Sequence, residues 1–230
     1  MKIAYFDCFS GISGDMVLGA LIDHGVDAEW LKQMIRTHVT DEAEIRVTAE
    51  SRKGIRAVRG HVETGPSRAR DYAASRDLIR NSGLPDLVKK RSLDIFAKIA
   101  AAESRIHGCD IDRVHFHELG GVDALVDIVG SALCMDALGF SHVRASRLSL
   151  GSGVVTCEHG TLPVPAPATA EILTGVPVRG TDIPFELVTP TGAAIITTLA
   201  DGFGPLPDMT MERVSYGAGT RDFETSPNLL

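Results

Sequence analysis

The sequence predicts an α/β protein with a mixed sheet flanked by helices, and two observations carry that reading. Short apolar runs of strand length alternate with longer stretches of helical periodicity, starting with Lys2 to Asp7 and then Met16 to Ile22. Clusters of Gly, Pro and Ser separate these segments. With 230 residues, 44% of them hydrophobic, the chain can bury a sizeable core, so residues 1–230 read as one main domain. Pattern alone leaves the order of strands open.

Lys2 to Asp7 is a short apolar strand ending in an acid. Ser10-Gly11-Ile12-Ser13-Gly14-Asp15 is a small-residue loop feeding the helix that follows, with Ser13 placed to cap it. Such a loop presents backbone N–H groups and a helix dipole to a phosphate or carboxylate, which makes Ser10, Gly11, Ser13 and Gly14 candidate ligand-binding residues. It lacks the lysine of a P-loop and the glycine spacing of a dinucleotide fingerprint, and a plain tight turn is the competing reading. Asp7 at the strand end and Asp15 after the loop are candidate metal ligands, because acids at such crevices hold magnesium beside phosphate.

Ala28 to His38 reads as a second helix, and Ile45 to Glu63 as two β segments around Lys53-Gly54-Ile55. Residues 52–80 form a charged excursion, polar from Gly65 to Arg80 and carrying Arg52, Lys53, Arg56, Arg59, Arg68, Arg70 and Arg76. This is either a solvated face or an anion-binding rim, and it is the best candidate for a mobile segment or insertion. Pro85 to His107 has the pattern of a long amphipathic helix with Leu87, Val88, Leu93, Ile95, Phe96, Ile99 and Ala100 near one side.

Val114 to Asp127 places two imidazoles and three carboxylates in one expected strand-turn-helix unit. If Val114 to Glu118 is extended, its period of two sets His115 and His117 on one face, able to share a metal ion. Gly120-Gly121 then breaks the strand, and from Val122 a helix carries Asp123 and Asp127 on one face at i, i+4. Neutral imidazole suits nickel, zinc, copper or iron, and carboxylates suit magnesium or manganese, so the set names no metal. Asp123 is also favoured in a first helical turn without any metal, and Glu118 could be a solvated strand residue.

The four cysteines, Cys8, Cys109, Cys134 and Cys157, form no CxxC pair, which argues against a structural zinc site or a disulfide framework. Cys134 reads as a buried small hydrophobe. His142 to Leu150 reads as a strand and residues 151–160 as a loop or hairpin. Leu162-Pro163-Val164-Pro165-Ala166-Pro167 is a rigid extended run leading into a helix, Ala168 to Leu173. At Thr189-Pro190-Thr191-Gly192 another helix starts, with Thr189 as cap and Thr189 and Thr191 as candidate anion-binding residues.

Thirty acids against twenty-three Lys and Arg give net charge −7, which disfavours nonspecific nucleic-acid or anionic-membrane binding. Asp7 interrupts the first apolar run, so no signal peptide is expected, and no stretch approaches a membrane span. The chain reads as cytoplasmic, and a homo-oligomer is compatible with the sequence.

Five strings in order, FDCFSGISGDM, HFHELGGVDALVDIVG, HGTLPVPAPATAE, LVTPTGAAI and YGAGTRDFETSPNLL, resemble the LarC nickel-insertion family across nearly the whole chain. The resemblance implies completion of the nickel-pincer nucleotide cofactor of lactate racemase-type enzymes. Nickel is inserted into pyridinium-3,5-bisthiocarboxylic acid mononucleotide with formation of a carbon-metal bond, using CTP with magnesium or manganese. Family members commonly continue past PNLL into a region carrying the CTP site, so the resemblance implies an N-terminal portion, a frameshifted product or a truncated chain, with a separate C-terminal partner chain as one alternative. Chemistry then assigns roles: His115 and His117 hold or deliver nickel, and Glu118, Asp123 or Asp127 complete the shell or take the ring proton. The Ser10 to Asp15 loop and the Thr189 to Thr191 helix start seat phosphate. Two other readings compete: a non-catalytic nickel carrier, and a metal-dependent phosphohydrolase using Asp7, Asp15 and the His-Asp cluster.

Overall fold

The computed structural model describes residues 1–65, 71–114, 116, 121–157, 159–224 and 226–230. In chain order, β1 (Ile3–Phe6) leads through the small-residue loop into α1 (Gly14–Asp23), then α2 (Ala28–His38) and the strands β2 (Ala43–Arg52) and β3 (Ile55–Thr64). There follow α3 (Tyr72–Asn81), α4 (Asp86–His107), a 3-10 turn at Ile111–Arg113 and α5 (Val122–Leu138). The C-terminal part contains β4 (His142–Ala145), β5 (Leu148–Leu150), β6 (Val154–Cys157), β7 (Gly160–Pro163), α6 (Pro167–Ile172), β8 (Val178–Gly180), α7 (Pro190–Leu199) and β9 (Gly202–Phe203).

The fold is α/β, with parallel and antiparallel pairing distributed over four small sheets among the described residues. A parallel sheet of order β1-β4-β9 sets Ile3 beside His142 and Arg144 beside Gly202. The β2–β3 hairpin is antiparallel from Ala43↔Thr64 to Arg52↔Ile55. Its two turn residues, Lys53 and Gly54, have φ of 51° and 82°, the positive values a tight two-residue hairpin requires. β5 pairs with β8 in parallel and β6 with β7 antiparallel.

The core is built on α5, which is apolar nearly all round and buried at Val122, Leu125, Val126, Ile128, Val129, Leu133 and Met135. A helix of that kind belongs at the centre of a domain rather than on its surface. α1 lies parallel to it, with Gly14 under Asp127 and Leu18 against Gly130. On its other side α1 meets the hairpin so closely that a Cβ on Gly19 would lie 2.2 Å from the Val58 carbonyl oxygen. α4 closes the far side through Val88, Ile95, Phe96 and Ile99. The last residues return to this centre: Val58 receives a parallel bridge from Gly217, and Gly217 pairs through both backbone bonds with Leu230.

Several expectations are corrected here. His142 to Leu150 is two strands, because Ser146 ends β4: its N–H donates to the Phe6 carbonyl and its hydroxyl accepts from the Cys8 N–H at 2.9 Å. The polar stretch after residue 65 contains a helix, α3, capped by Asp71, whose carboxylate accepts from the Ala74 N–H at 2.7 Å; residues 66–70 lie outside the described residues. Leu87, assigned to the apolar side of its helix, is 47% exposed. Val114 and Phe116 are buried but belong to no strand, and the rest of the expected 114–118 strand lies outside the described residues. Among the described residues no helix is long and apolar enough to cross a membrane.

The contact of Gly19 with the hairpin backbone leaves no room for even one methyl group. Gly19→Ala is expected to cost roughly 2–4 kcal/mol in urea unfolding, since the obstacle is backbone. Gly180→Ala, where a Cβ meets nothing within 4 Å, should stay within about 0.5 kcal/mol of the parent. Equal effects at the two positions would contradict this packing.

Candidate functional site

The loop after β1 is fixed by its own backbone. The Gly11 N–H closes a turn onto the Cys8 carbonyl at 3.1 Å, the Ile12 N–H donates to Leu187 at 2.9 Å, and Thr189 returns a bond to the Ile12 carbonyl at 3.1 Å. Gly11, with φ of 89°, lies so close to the Leu187 carbonyl that only glycine fits. The amides of Gly11 and Ile12 are therefore spent on the fold and are not donors for a ligand. Ser10, 1% exposed, turns inward, and its hydroxyl has no partner among the described residues.

The amides just beyond are different. Ser13 occupies the N-cap position, yet its hydroxyl donates to the Asp15 carboxylate instead of capping the helix. The N–H groups of Gly14 and Asp15 find no acceptor among the described residues. The start of α7 abuts the same loop: a Cβ on Gly192 would lie 2.3 Å from the Ile12 carbonyl and 2.8 Å from the Ser13 Cα. There Thr189 caps α7 by accepting the Gly192 N–H at 3.1 Å, Pro190 has no N–H, and the amide of the buried Thr191 is left open. α5 passes beside them, with Asp127 on its second turn lying directly over Gly14. Two N-terminal dipoles, those of α1 and α7, thus meet around Ser13 and Gly14, a favourable place for an anion.

Three carboxylates share this place. Asp15 accepts from Ser13 and from its neighbour Met16 N–H at 3.0 Å through Oδ1, and from the Thr220 hydroxyl at 3.1 Å through Oδ2. Asp123 sits exposed in the first turn of α5. Asp127 is partly buried, but its Oδ1 is closed to solvent and has no hydrogen-bond partner among the described residues. Burial first, then the negative fields of Asp15 and Asp123, push the Asp127 carboxyl well above the ordinary range. Asp7, exposed at the end of β1, is not among the groups acting on Asp127; its field falls on Tyr5 and Cys8. Cys134, on the same α5, is buried and its thiol is pushed up to about 12 by burial, the behaviour of a small hydrophobe.

His115, His117 and Glu118 lie outside the described residues. Among the described residues no three His, Cys, Asp or Glu side chains are grouped so as to hold a metal ion. Asp15 and Asp127 alone therefore make no closed site of the structural-zinc kind; one or two carboxylates with open amides nearby suit a hard divalent cation that also binds a phosphate. Thr220 was not a candidate from sequence, and Arg59 and Arg52 were read there only as members of a solvated face or an anion-binding rim. Arg59 donates to Thr220 at 3.1 Å and Arg52 to the Gly219 carbonyl at 2.9 Å, which ties the C-terminal segment to the hairpin beside Asp15. The one signal that could have found them is the small-residue run Gly217-Ala218-Gly219-Thr220, which permits close approach to α1.

Fold and side-chain arrangement together define an α/β protein in which carboxylate oxygens and open helix N-terminal amides share one place. The chain belongs to the nickel insertion protein family, whose model, described as nickel insertion protein, matches residues 4–230. It is similar to two proteins from Desulfitobacterium hafniense strains named pyridinium-3,5-bisthiocarboxylic acid mononucleotide nickel insertion protein, each 48% identical over 231 residues. A protein of the same name from Geobacillus kaustophilus is 44% identical over 241 residues. All of this chain is covered in each case, but it spans only 57% of the two former relatives and 59% of the latter. No solved structure matches the chain.

The raised Asp127 has a consequence for stability. Below the ordinary carboxyl pKa of about 3.9, native and unfolded chains both hold the proton, and ionisation makes no difference. As pH rises further, the unfolded chain ionises first and the native state loses relative stability until its own, higher pKa is passed. Asp127→Asn removes that loss. Its Tm should exceed the parent's at pH 7.5 by roughly 2–4 °C for each kcal/mol recovered, and the gap should close towards pH 4. A lower Tm for the variant at pH 7.5, by differential scanning calorimetry without added metal, would contradict the electrostatic account.

Proposed function

We propose that this chain carries the substrate side of nickel insertion into pyridinium-3,5-bisthiocarboxylic acid mononucleotide, the step that yields a nickel-pincer nucleotide for lactate racemase-type enzymes. The observation that carries the reading is the raised Asp127 carboxylate, whose Oδ1 has no hydrogen-bond partner among the described residues, lying over the open N-terminus of α1 in a chain of the nickel insertion family. In this reading the mononucleotide phosphate is seated by the amides of Gly14, Asp15 and Thr191 and by the dipoles of α1 and α7. Nickel is the substrate ion, delivered by His115 and His117, nitrogen donors suited to a borderline metal. Forming a carbon-nickel bond requires loss of the ring proton, and Asp127 is the proposed acceptor: a carboxyl with a raised pKa is a better base than an ordinary one. Asp123 and Glu118 are the other carboxylates proposed to complete the nickel shell or to take the proton.

Magnesium or manganese is proposed to be used with CTP and, beside the mononucleotide phosphate, to bind Asp15 without CTP. Asp15, whose Oδ2 receives a single hydroxyl, supports the reading because such ions are held by one or two carboxylates plus phosphate oxygens. CTP use itself is proposed to depend on sequence outside this chain, since the relatives are longer. That same length difference favours a second reading, in which the chain binds nickel and hands it to a C-terminal partner without completing the bond.

The experiment is a nickel titration with and without the mononucleotide, followed by mass analysis of the nucleotide after CTP and magnesium are added. Insertion yields the metallated nucleotide; a carrier binds nickel and leaves the nucleotide unchanged; release of phosphate from generic esters would favour a phosphohydrolase. Nickel affinity should fall steeply between pH 7.5 and 5.5, because protonated imidazole cannot ligate. His115→Ala and His117→Ala should each weaken binding at least about 10-fold, the double variant little more than either. Equal affinities in all variants at both pH values would remove the histidines from the reading.

A further inference from the structure

Resting on the proposed cation role of Asp15, we infer that Thr220 and Arg59 are positioning residues that set the Asp15 carboxylate for its ion. The C-terminal segment passes over α1 so closely that a Cβ on Gly217 would lie 1.8 Å from the Met16 carbonyl oxygen. It is anchored on both sides: by the Gly217–Leu230 pair and by the Val58 N–H bond to Tyr216 and the Ala218 N–H bond to Val58. This backbone frame leaves the Thr220 side chain exposed and directed to Asp15.

From there a directed chain of donors runs into the site. The Arg59 guanidinium on β3 donates to the Thr220 oxygen at 3.1 Å, and the Thr220 hydroxyl, its oxygen thus occupied as acceptor, donates its proton to Asp15 Oδ2 at 3.1 Å. Arg59 therefore fixes which way the Thr220 proton points. With Oδ1 held by Ser13 and the Met16 amide, the carboxylate is fixed from both oxygens and cannot rotate towards α5. A second lone pair on Oδ2 stays open for a cation. Arg52 supports the same loop, donating to the Gly219 carbonyl at 2.9 Å with its guanidinium beside Glu50 and Asp222. Neither Thr220 nor Arg59 is a ligand in this account; both act through Asp15.

The test measures manganese binding by electron paramagnetic resonance on the intact chain with the mononucleotide present, comparing parent, Thr220→Val, Thr220→Ser, Arg59→Gln and Asp15→Asn. Thr220→Val should weaken manganese binding about 10-fold, Thr220→Ser should restore it to within about 3-fold, and Arg59→Gln should weaken it less than Thr220→Val. Asp15→Asn should be the weakest. A merely structural strap would not be rescued by a hydroxyl alone, so a Thr220→Ser variant as weak as Thr220→Val overturns the inference. Parent-like binding by Thr220→Val also overturns it, while loss on Asp15→Asn would leave the cation role of Asp15 standing. If Thr220→Val fails to fold by circular dichroism, Arg59→Gln decides: weakened binding supports the inference and parent-like binding overturns it. Absence of manganese binding by the parent itself would overturn the cation role and the inference together.

Discussion

The carboxylate of Asp127 lies directly over Gly14, and the rest of the site follows from that contact. A Cβ at Gly14 would fall 2.1 Å from Asp127 Oδ2, so only glycine lets α1 and α5 approach closely enough to share their N-terminal ends. α1 is confined on its other faces as well, by the Val58 carbonyl at Gly19 and by Gly217 above Met16. A ten-residue helix held by one side-chain and two backbone contacts at glycines cannot shift without disturbing all three. Its rigidity holds a loop of polar residues where flexible loops are ordinarily found.

The electrostatics of this arrangement are unbalanced in an informative way. Each helix N-terminus contributes about half a positive charge, so those of α1 and α7 together offset about one of the three formal negative charges of Asp15, Asp123 and Asp127. Burial is what chiefly raises Asp127, and the excess negative charge adds to that effect. It is a charge that a divalent cation would neutralise and that an anion alone would worsen, whereas the open amides of Gly14, Asp15 and Thr191 favour an anion. A site with both features suits a cation and a phosphate together better than either one alone.

Much of this was legible in the sequence, and the reasons differ by residue. The strand at Lys2, the helix at Ala28, the hairpin around Lys53-Gly54, the long helix ending at His107 and the Pro190 helix start all carry local signals: periodicity, capping residues or turn chemistry. Asp123 and Asp127 could be set on one helical face by counting. What local signals could not show is that Gly11 and Ile12 spend their amides on Leu187 and Cys8, because those partners are remote or depend on the turn formed. The Arg59–Thr220 contact was invisible for the same reason: a bond spanning 161 residues leaves no periodic trace. The single strand expected from His142 to Leu150 failed because the Ser146 side chain, not its hydrophobic neighbours, decides where pairing stops.

The central claim is that cation and anion occupy one site and support each other. It is tested most directly by measuring manganese affinity calorimetrically as a function of mononucleotide concentration, and mononucleotide affinity as a function of manganese. The account predicts that each ligand tightens the other by the same factor, about 10-fold or more, and that Asp127→Asn reduces this factor in both titrations. Affinities that are independent of one another in the parent protein would contradict it.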